Sequence, residues 1–157
     1  QIDHGRTSKY LHEFLAGNYR ISSIQAAILN VKLDHIDAWT NRRIEIAKQY
    51  DAGLKDKGFK VIDVNNGNKC SYHLYVVEVS NRDEVMEKLN EGDIACGIHY
   101  PVPLHLQPAL KHLSYKQGDF PIAENAAKRI ISLPIFPDMK NNQVQYVLEK
   151  FLATAKN

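Results

Sequence analysis

Past the midpoint of the 157-residue chain, His99-Tyr100-Pro101-Val102-Pro103-Leu104-His105 gathers the densest set of chemically capable side chains. Two prolines stiffen the segment, so the polar groups around them are held in fixed directions, as a binding site requires. Three uses compete for the histidines. A zinc site needs three or four ligands at characteristic spacings, and no Cys, Asp or Glu sits beside this pair. General acid–base work suits His99, because an unperturbed imidazole titrates near neutrality. A hydrogen-bonded structural histidine is the third use, and the residues alone favour it.

A second cluster lies at Gly17-Asn18-Tyr19-Arg20. Gly-Asn pairs tolerate positive φ and mark sharp turns. The side chains of Asn18 and Arg20 then project from a turn that a helix follows, which suits a ligand or a partner chain. An Asx-type turn with a solvated arginine is the plainer alternative, and local physics favours it. Arg42 and Arg43 form the third cluster. A guanidinium can hold a carboxylate or phosphate in bidentate fashion, although two helical arginines are ordinarily a solvated face.

These clusters must be positioned by regular elements. Ser22 or Ser23 can cap a helix whose apolar residues Ile24, Ala27, Ile28 and Val31 recur at helical spacing. The pattern runs on through Ile36, Trp39, Ile46, Ala47, Tyr50 and Leu54. A single helix over that span would be roughly 50 Å long, so a break near Asp34–Asp37 is expected. Gly58 ends the second helix. Phe59–Asp63 reads as a short strand and Asn65–Asn68 as a turn. His73–Val79, rich in β-branched and aromatic residues, is the clearest strand.

Ser80 or Asn81 caps a helix over Arg82–Asn90, and Ile94–Tyr100 reads as a further strand that ends at the prolines. Tyr100-Pro101 admits either peptide isomer. Leu106–Leu113 reads as a short helix. Pro121 suits the first position of a helix over Ile122–Ile131. Leu133-Pro134-Ile135-Phe136-Pro137 is extended and apolar, and is expected to fold back onto the core. Asn141 caps a last helix, Gln143 to about Ala155, with Val144, Val147, Leu148, Phe151 and Leu152 as its buried stripe. The result is an α/β chain with a small, mainly antiparallel sheet covered by helices.

The string G-N-Y-R-x-S-x-I-Q-A-A-I-L-x-x-K-L that starts at Gly17 resembles the signature of the DegT/StrS family of vitamin-B6-dependent sugar aminotransferases. The resemblance continues through Trp39, Arg43, Ala47 and Tyr50, through His99–His105, and through Leu133–Pro137, in family order. It implies the C-terminal small domain of a fold-type-I transferase that binds pyridoxal 5'-phosphate. On that basis residues 1–20 continue from a large cofactor-binding domain not included in this sequence, and 21–157 form the small domain. The lysine to which the cofactor attaches would lie upstream, so no catalytic residue is assigned within these residues.

Carried over residue by residue, the resemblance gives Asn18 a cofactor-binding role. Its amide would reach across a homodimer to the phosphate in the neighbouring subunit's site. Lys9, Tyr10, Arg43, His99, Tyr100 and His105 become substrate contacts. Lys9 and Tyr10 match a Lys/Arg-Tyr pair that follows the family's His-Gly pair, here His4-Gly5. The family usually has Gly where this chain has Ala16, and often an acidic residue where it has Ser23.

The activity implied is transfer of an amino group from L-glutamate to a nucleotide-linked keto-sugar, with the His-Tyr-Pro-x-Pro-Leu-His form pointing to the sugar C3. Two alternatives stay open: a sugar dehydratase of the same family, and a non-catalytic nucleotide-sugar-binding or regulatory homologue. Composition is consistent with this range. A net charge of +2 gives no case for nucleic acid, and the apolar runs are too short to cross a membrane. Two cysteines, Cys70 and Cys96, make no disulfide framework and suit the cytoplasm.

Overall fold

The computed structural model describes residues 5, 7, 8 and 11–157. The chain falls into two compact units, Gln1–Asp37 and Ala38–Asn157.

In the N-terminal unit, an irregular segment leads into helix α1 (Ser23–Leu33). Ser22 caps it through a reciprocal box: its hydroxyl accepts from Gln25 N–H, and the Gln25 side chain accepts from Ser22 N–H. That arrangement satisfies two amides that a helix start otherwise leaves open. Asp34 ends the helix, and His35 N–H returns to Lys32 O at 3.1 Å. Helix α2 (Ile36–Leu54) begins immediately afterwards, so the break falls where the length argument placed it. No residue of α1 is buried.

The C-terminal unit holds the core. The buried stripe of α2, Ile46, Ala47, Tyr50 and Leu54, shares one cluster with Val77 and Val79, with Val85 and Leu89, and with Val144 and Phe151. These come from strand β1 (Tyr75–Glu78) and its end, from helix α3 (Arg82–Glu91), and from a C-terminal helix (Asn141–Thr154). Between α3 and that helix lie helix α4 (Pro121–Arg129) and strand β2 (Ile130–Leu133); the C-terminal helix is therefore α5, and Asn141 is its first residue rather than its cap, which falls at Lys140. Strands β1 and β2 pair antiparallel, with Val76 opposite Ser132 and Val77 opposite Ile131. Single antiparallel bridges extend this ladder on both sides, Val61 to Val77 and Gly97 to Ser132.

Several expectations shift in detail. Phe59–Asp63 and Ile94–Tyr100 contribute one bridge each rather than strands, because each meets its neighbour at a single point. Ile130 and Ile131 belong to β2 and not to the end of α4. The helix stops at Arg129 and extended backbone runs on to Pro134, as β-branched residues ahead of a proline favour. Leu106–Leu113 is two 3₁₀ turns, Leu104–Leu106 and Pro108–Leu113, interrupted at Gln107 because the next residue is proline. The Tyr100–Pro101 bond is trans, and the cis peptide of this segment joins His99 to Tyr100.

Two side chains tie the extended 134–141 segment to α2. Tyr50 donates its hydroxyl to Pro134 O at 2.8 Å, and burial pushes that phenol well above its ordinary range. Arg42 donates to Met139 O at 2.6 Å and to Asn141 Oδ1 at 2.9 Å. Tyr75 donates to Asp51 at 2.6 Å, and burial followed by that carboxylate raises its phenol strongly. Among the described residues no helix is long and apolar enough to cross a membrane.

Candidate functional site

In the N-terminal unit, Asn18 is exposed on the turn ahead of α1. Its side-chain oxygen accepts from Arg20 N–H at 3.4 Å, the contact of an Asx turn. The turn reading and the ligand reading are compatible. The oxygen holds the turn, and the amide NH₂ of this exposed residue is a donor of the kind a phosphate accepts. The turn does not use positive φ at either residue. The space beside Gly17 is taken by the Tyr19 ring, which a Cβ at this position would meet at 2.7 Å and push outward. The residues present therefore fit an anionic group at Asn18. Lys9 and Tyr10 lie outside the described residues.

In the C-terminal unit, His99 is half-buried and lines an open cavity of about 480 Å³. Lys60, Asp63, Glu78 and Ile130 share its lining. Lys60 pairs with Glu78 at 2.7 Å. Ring nitrogen Nδ1 of His99 lies 2.9 Å from the Ser132 hydroxyl. Tyr100, 71% exposed, lines a neighbouring apolar groove of about 330 Å³ with Val102, Leu104 and Ala123. Ala126 and Ile130 line both spaces, so the consecutive residues His99 and Tyr100 serve adjoining recesses over one part of α4 and β2.

The other two candidates are brought elsewhere. Arg43 donates to Ile135 O at 2.8 Å and, more loosely, to Tyr72 O at 3.5 Å. Its guanidinium thus works beside Arg42 in holding main-chain carbonyls against α2. The side chain of His105 is 8% exposed, and its Nε2 lies 3.0 Å from Glu124 Oε1. Its ring rests on Phe120, with centroids 4.8 Å apart. Glu124 also accepts from Gly118 N–H at 2.8 Å and Phe120 N–H at 3.3 Å. His105 therefore closes a loop rather than presenting a nitrogen to a cavity.

Sequence reasoning passed over Ser132. It is the buried polar residue of the described core, at 5% exposure. Its signal was a lone hydroxyl inside the apolar run Ile130-Ile131-Ser132-Leu133-Pro134-Ile135, where burial is costly unless a partner is supplied. Cys96 is half-buried, and burial pushes its thiol up to about 11, so it stays protonated near neutrality.

This fold and these motifs are those of one enzyme family. The chain belongs to the DegT/DnrJ/EryC1/StrS aminotransferase family, whose model matches residues 2–152. It is 43% identical over 150 residues to a pleiotropic regulatory protein of Geobacillus stearothermophilus, covering 94% of this chain and 40% of that one. It is 36% identical over 147 residues to the dTDP-3-amino-3,6-dideoxy-alpha-D-galactopyranose transaminase of Aneurinibacillus thermoaerophilus, again covering 94% and 40%. Among solved structures it resembles DesV of S. venezuelae, with a TM-score of 0.86 at 34% identity over 94% of this chain and 40% of that one. The chain thus spans about two-fifths of the length of these relatives.

Proposed function

We propose that the full-length protein is a pyridoxal-phosphate-dependent aminotransferase that moves an amino group from glutamate to a nucleotide-linked keto-sugar. The observation that carries this reading is the family match along nearly the whole chain, joined to the placement of His99 and Tyr100 at adjoining recesses. When bound, pyridoxal phosphate supplies the electron sink that amino transfer requires. The residues of this chain bind and orient. Asn18 donates its amide NH₂ to the cofactor phosphate across a homodimer, while its oxygen keeps the turn closed.

His99 offers Nε2 to a polar group of the sugar nucleotide, because Nδ1 is already engaged. Tyr100 lays its exposed ring along the same ligand. Lys9 and Tyr10 complete the substrate contacts, while Arg43 and His105 fix the framework behind them. Amination at the sugar C3 is favoured by the His-Tyr-Pro-x-Pro-Leu-His segment and by the similarity to the A. thermoaerophilus 3-amino-sugar transaminase.

The regulatory name of the G. stearothermophilus relative favours one further reading, a non-catalytic homologue that keeps the fold. The absorbance spectrum of the full-length protein, before and after glutamate, separates them. A bound-cofactor band that glutamate shifts to the amine form supports the aminotransferase. A bound cofactor indifferent to glutamate indicates a dehydratase. No cofactor, even after its addition, indicates the non-catalytic homologue.

A further inference from the structure

We infer that Ser132 and Gly97 form a purpose-built seat for the His99 imidazole, and that Ser132 is thereby a positioning residue for substrate binding. The second half of this inference rests on the reading of His99 as a substrate contact.

Three observations meet at this point. Gly97 and Ser132 exchange both main-chain hydrogen bonds, Gly97 N–H to Ser132 O at 3.2 Å and Ser132 N–H to Gly97 O at 2.8 Å. That reciprocal pair locks the His99 segment onto β2 at one place. Ser132 then places its hydroxyl 2.9 Å from Nδ1 of His99. Gly97, two residues before His99, leaves the space the ring fills. A Cβ on Gly97 would lie 2.7 Å from His99 Cε1, 3.4 Å from Nδ1 and 3.5 Å from Nε2. Any side chain there displaces the imidazole.

The composition of the seat argues against coincidence. A buried strand position ordinarily takes a β-branched apolar residue, and both sequence neighbours of Ser132, Ile131 and Leu133, are buried and apolar. A serine gives up that packing and must have its hydroxyl satisfied. The group that satisfies it is the ring of His99. One nitrogen is thereby committed, so the ring cannot flip without losing the bond. Nε2, which makes no hydrogen bond among the described residues, is the nitrogen left for a ligand. The edge-on Tyr100 ring, 5.4 Å away between centroids, packs against the imidazole as well.

The test uses the full-length holoenzyme labelled with nitrogen-15 histidine, comparing wild type with Ser132→Ala and Ser132→Thr. His99→Gln assigns the resonances. The imidazole nitrogen shifts of His99 report whether Nδ1 keeps its partner, and that measurement needs no substrate. Kinetics are read in reverse, with dTDP-3-amino-3,6-dideoxy-D-galactose and 2-oxoglutarate. In Ser132→Ala the His99 shifts move toward those of an unconstrained ring. The KM for the amino sugar rises about tenfold, while the KM for 2-oxoglutarate and the cofactor band stay unchanged. Ser132→Thr, which keeps the hydroxyl, restores both readouts. Unmoved His99 shifts in Ser132→Ala overturn the seat whatever the kinetics show. Shifts that move, with an unchanged sugar KM in both Ser132→Ala and His99→Gln, leave the seat standing and overturn the placement of His99 at the substrate.

Discussion

Helices α1 and α5 are both rich in apolar residues, yet they are used in opposite ways. Of the eleven residues of α1, seven are apolar, and none is buried. Ile24 is 75% exposed and Val31 66%. Of the fourteen residues of α5, seven are apolar, and Val144, Val147, Leu148 and Phe151 are buried in the core. Apolar content therefore does not decide what a helix does within its own chain. Partners do: Val144, Val147, Leu148 and Phe151 of α5 are buried in a core that includes α3, with Tyr146 on the opposite side left exposed, whereas the apolar residues of α1, spread over a similar share of its circumference, meet no core. A helix of that second kind is written for burial against something larger than its own unit supplies.

The largest expected effect separates these two uses directly. In urea unfolding of the 157-residue chain, Leu89→Ala, at a fully buried position facing α5, should cost about 2–5 kcal/mol. The same change at Leu29 of α1, 54% exposed, should cost less than about 0.5 kcal/mol. Comparable losses at the two positions would break the comparison and show that α1 is packed in this chain.

The next effect sharpens the contrast by locating function where packing is absent. Asn18→Asp keeps an oxygen for Arg20 N–H, so the turn survives, but replaces the NH₂ donor with a second oxygen that repels phosphate. Cofactor affinity of the full-length protein should fall by about tenfold or more, with the dimer intact by sedimentation. Asn18→Ala loses both roles and should also weaken retention. Undiminished affinity in Asn18→Asp would remove this side chain from the cofactor site.

What the sequence made legible follows the same division between local and distant causes. The serine cap ahead of α1, the break after Leu33, β1, the start of α4 at Pro121 and the stripe of α5 are all written within a few residues of where they act. The contacts that were missed join positions far apart in the chain. Arg43 reads as a surface or ligand-binding guanidinium until Ile135, ninety-two residues on, is seen to accept from it. His105 and Glu124 are nineteen residues apart, and His99 and Ser132 thirty-three. No local pattern encodes such a pairing. The family resemblance singled out His99, Arg43 and His105 together, and the geometry distinguishes an imidazole at a cavity from two side chains committed to the framework.

The smallest effect concerns a part of the C-terminal unit that is held by polar groups rather than by the core. Burial alone would push the Glu124 carboxyl up. Hydrogen bonds from Gly118 N–H, His105 and Phe120 N–H outweigh it and hold the group below its ordinary value. A carboxyl whose folded-state pKa is depressed contributes stability above its unfolded value, near about 4.3, and loses it as pH falls through the folded one. Glu124→Gln removes the charge but keeps one oxygen acceptor, so it should lower Tm slightly near neutrality. As the pH is taken down below about 4, wild-type Glu124 becomes protonated and the gap between the two proteins should close. A gap that stays constant across that range would mean that shape, and not charge, fastens the loop from Gly118 to Phe120 onto α4. The pairing of His105 would then be a packing contact of the same kind as its contact with Phe120.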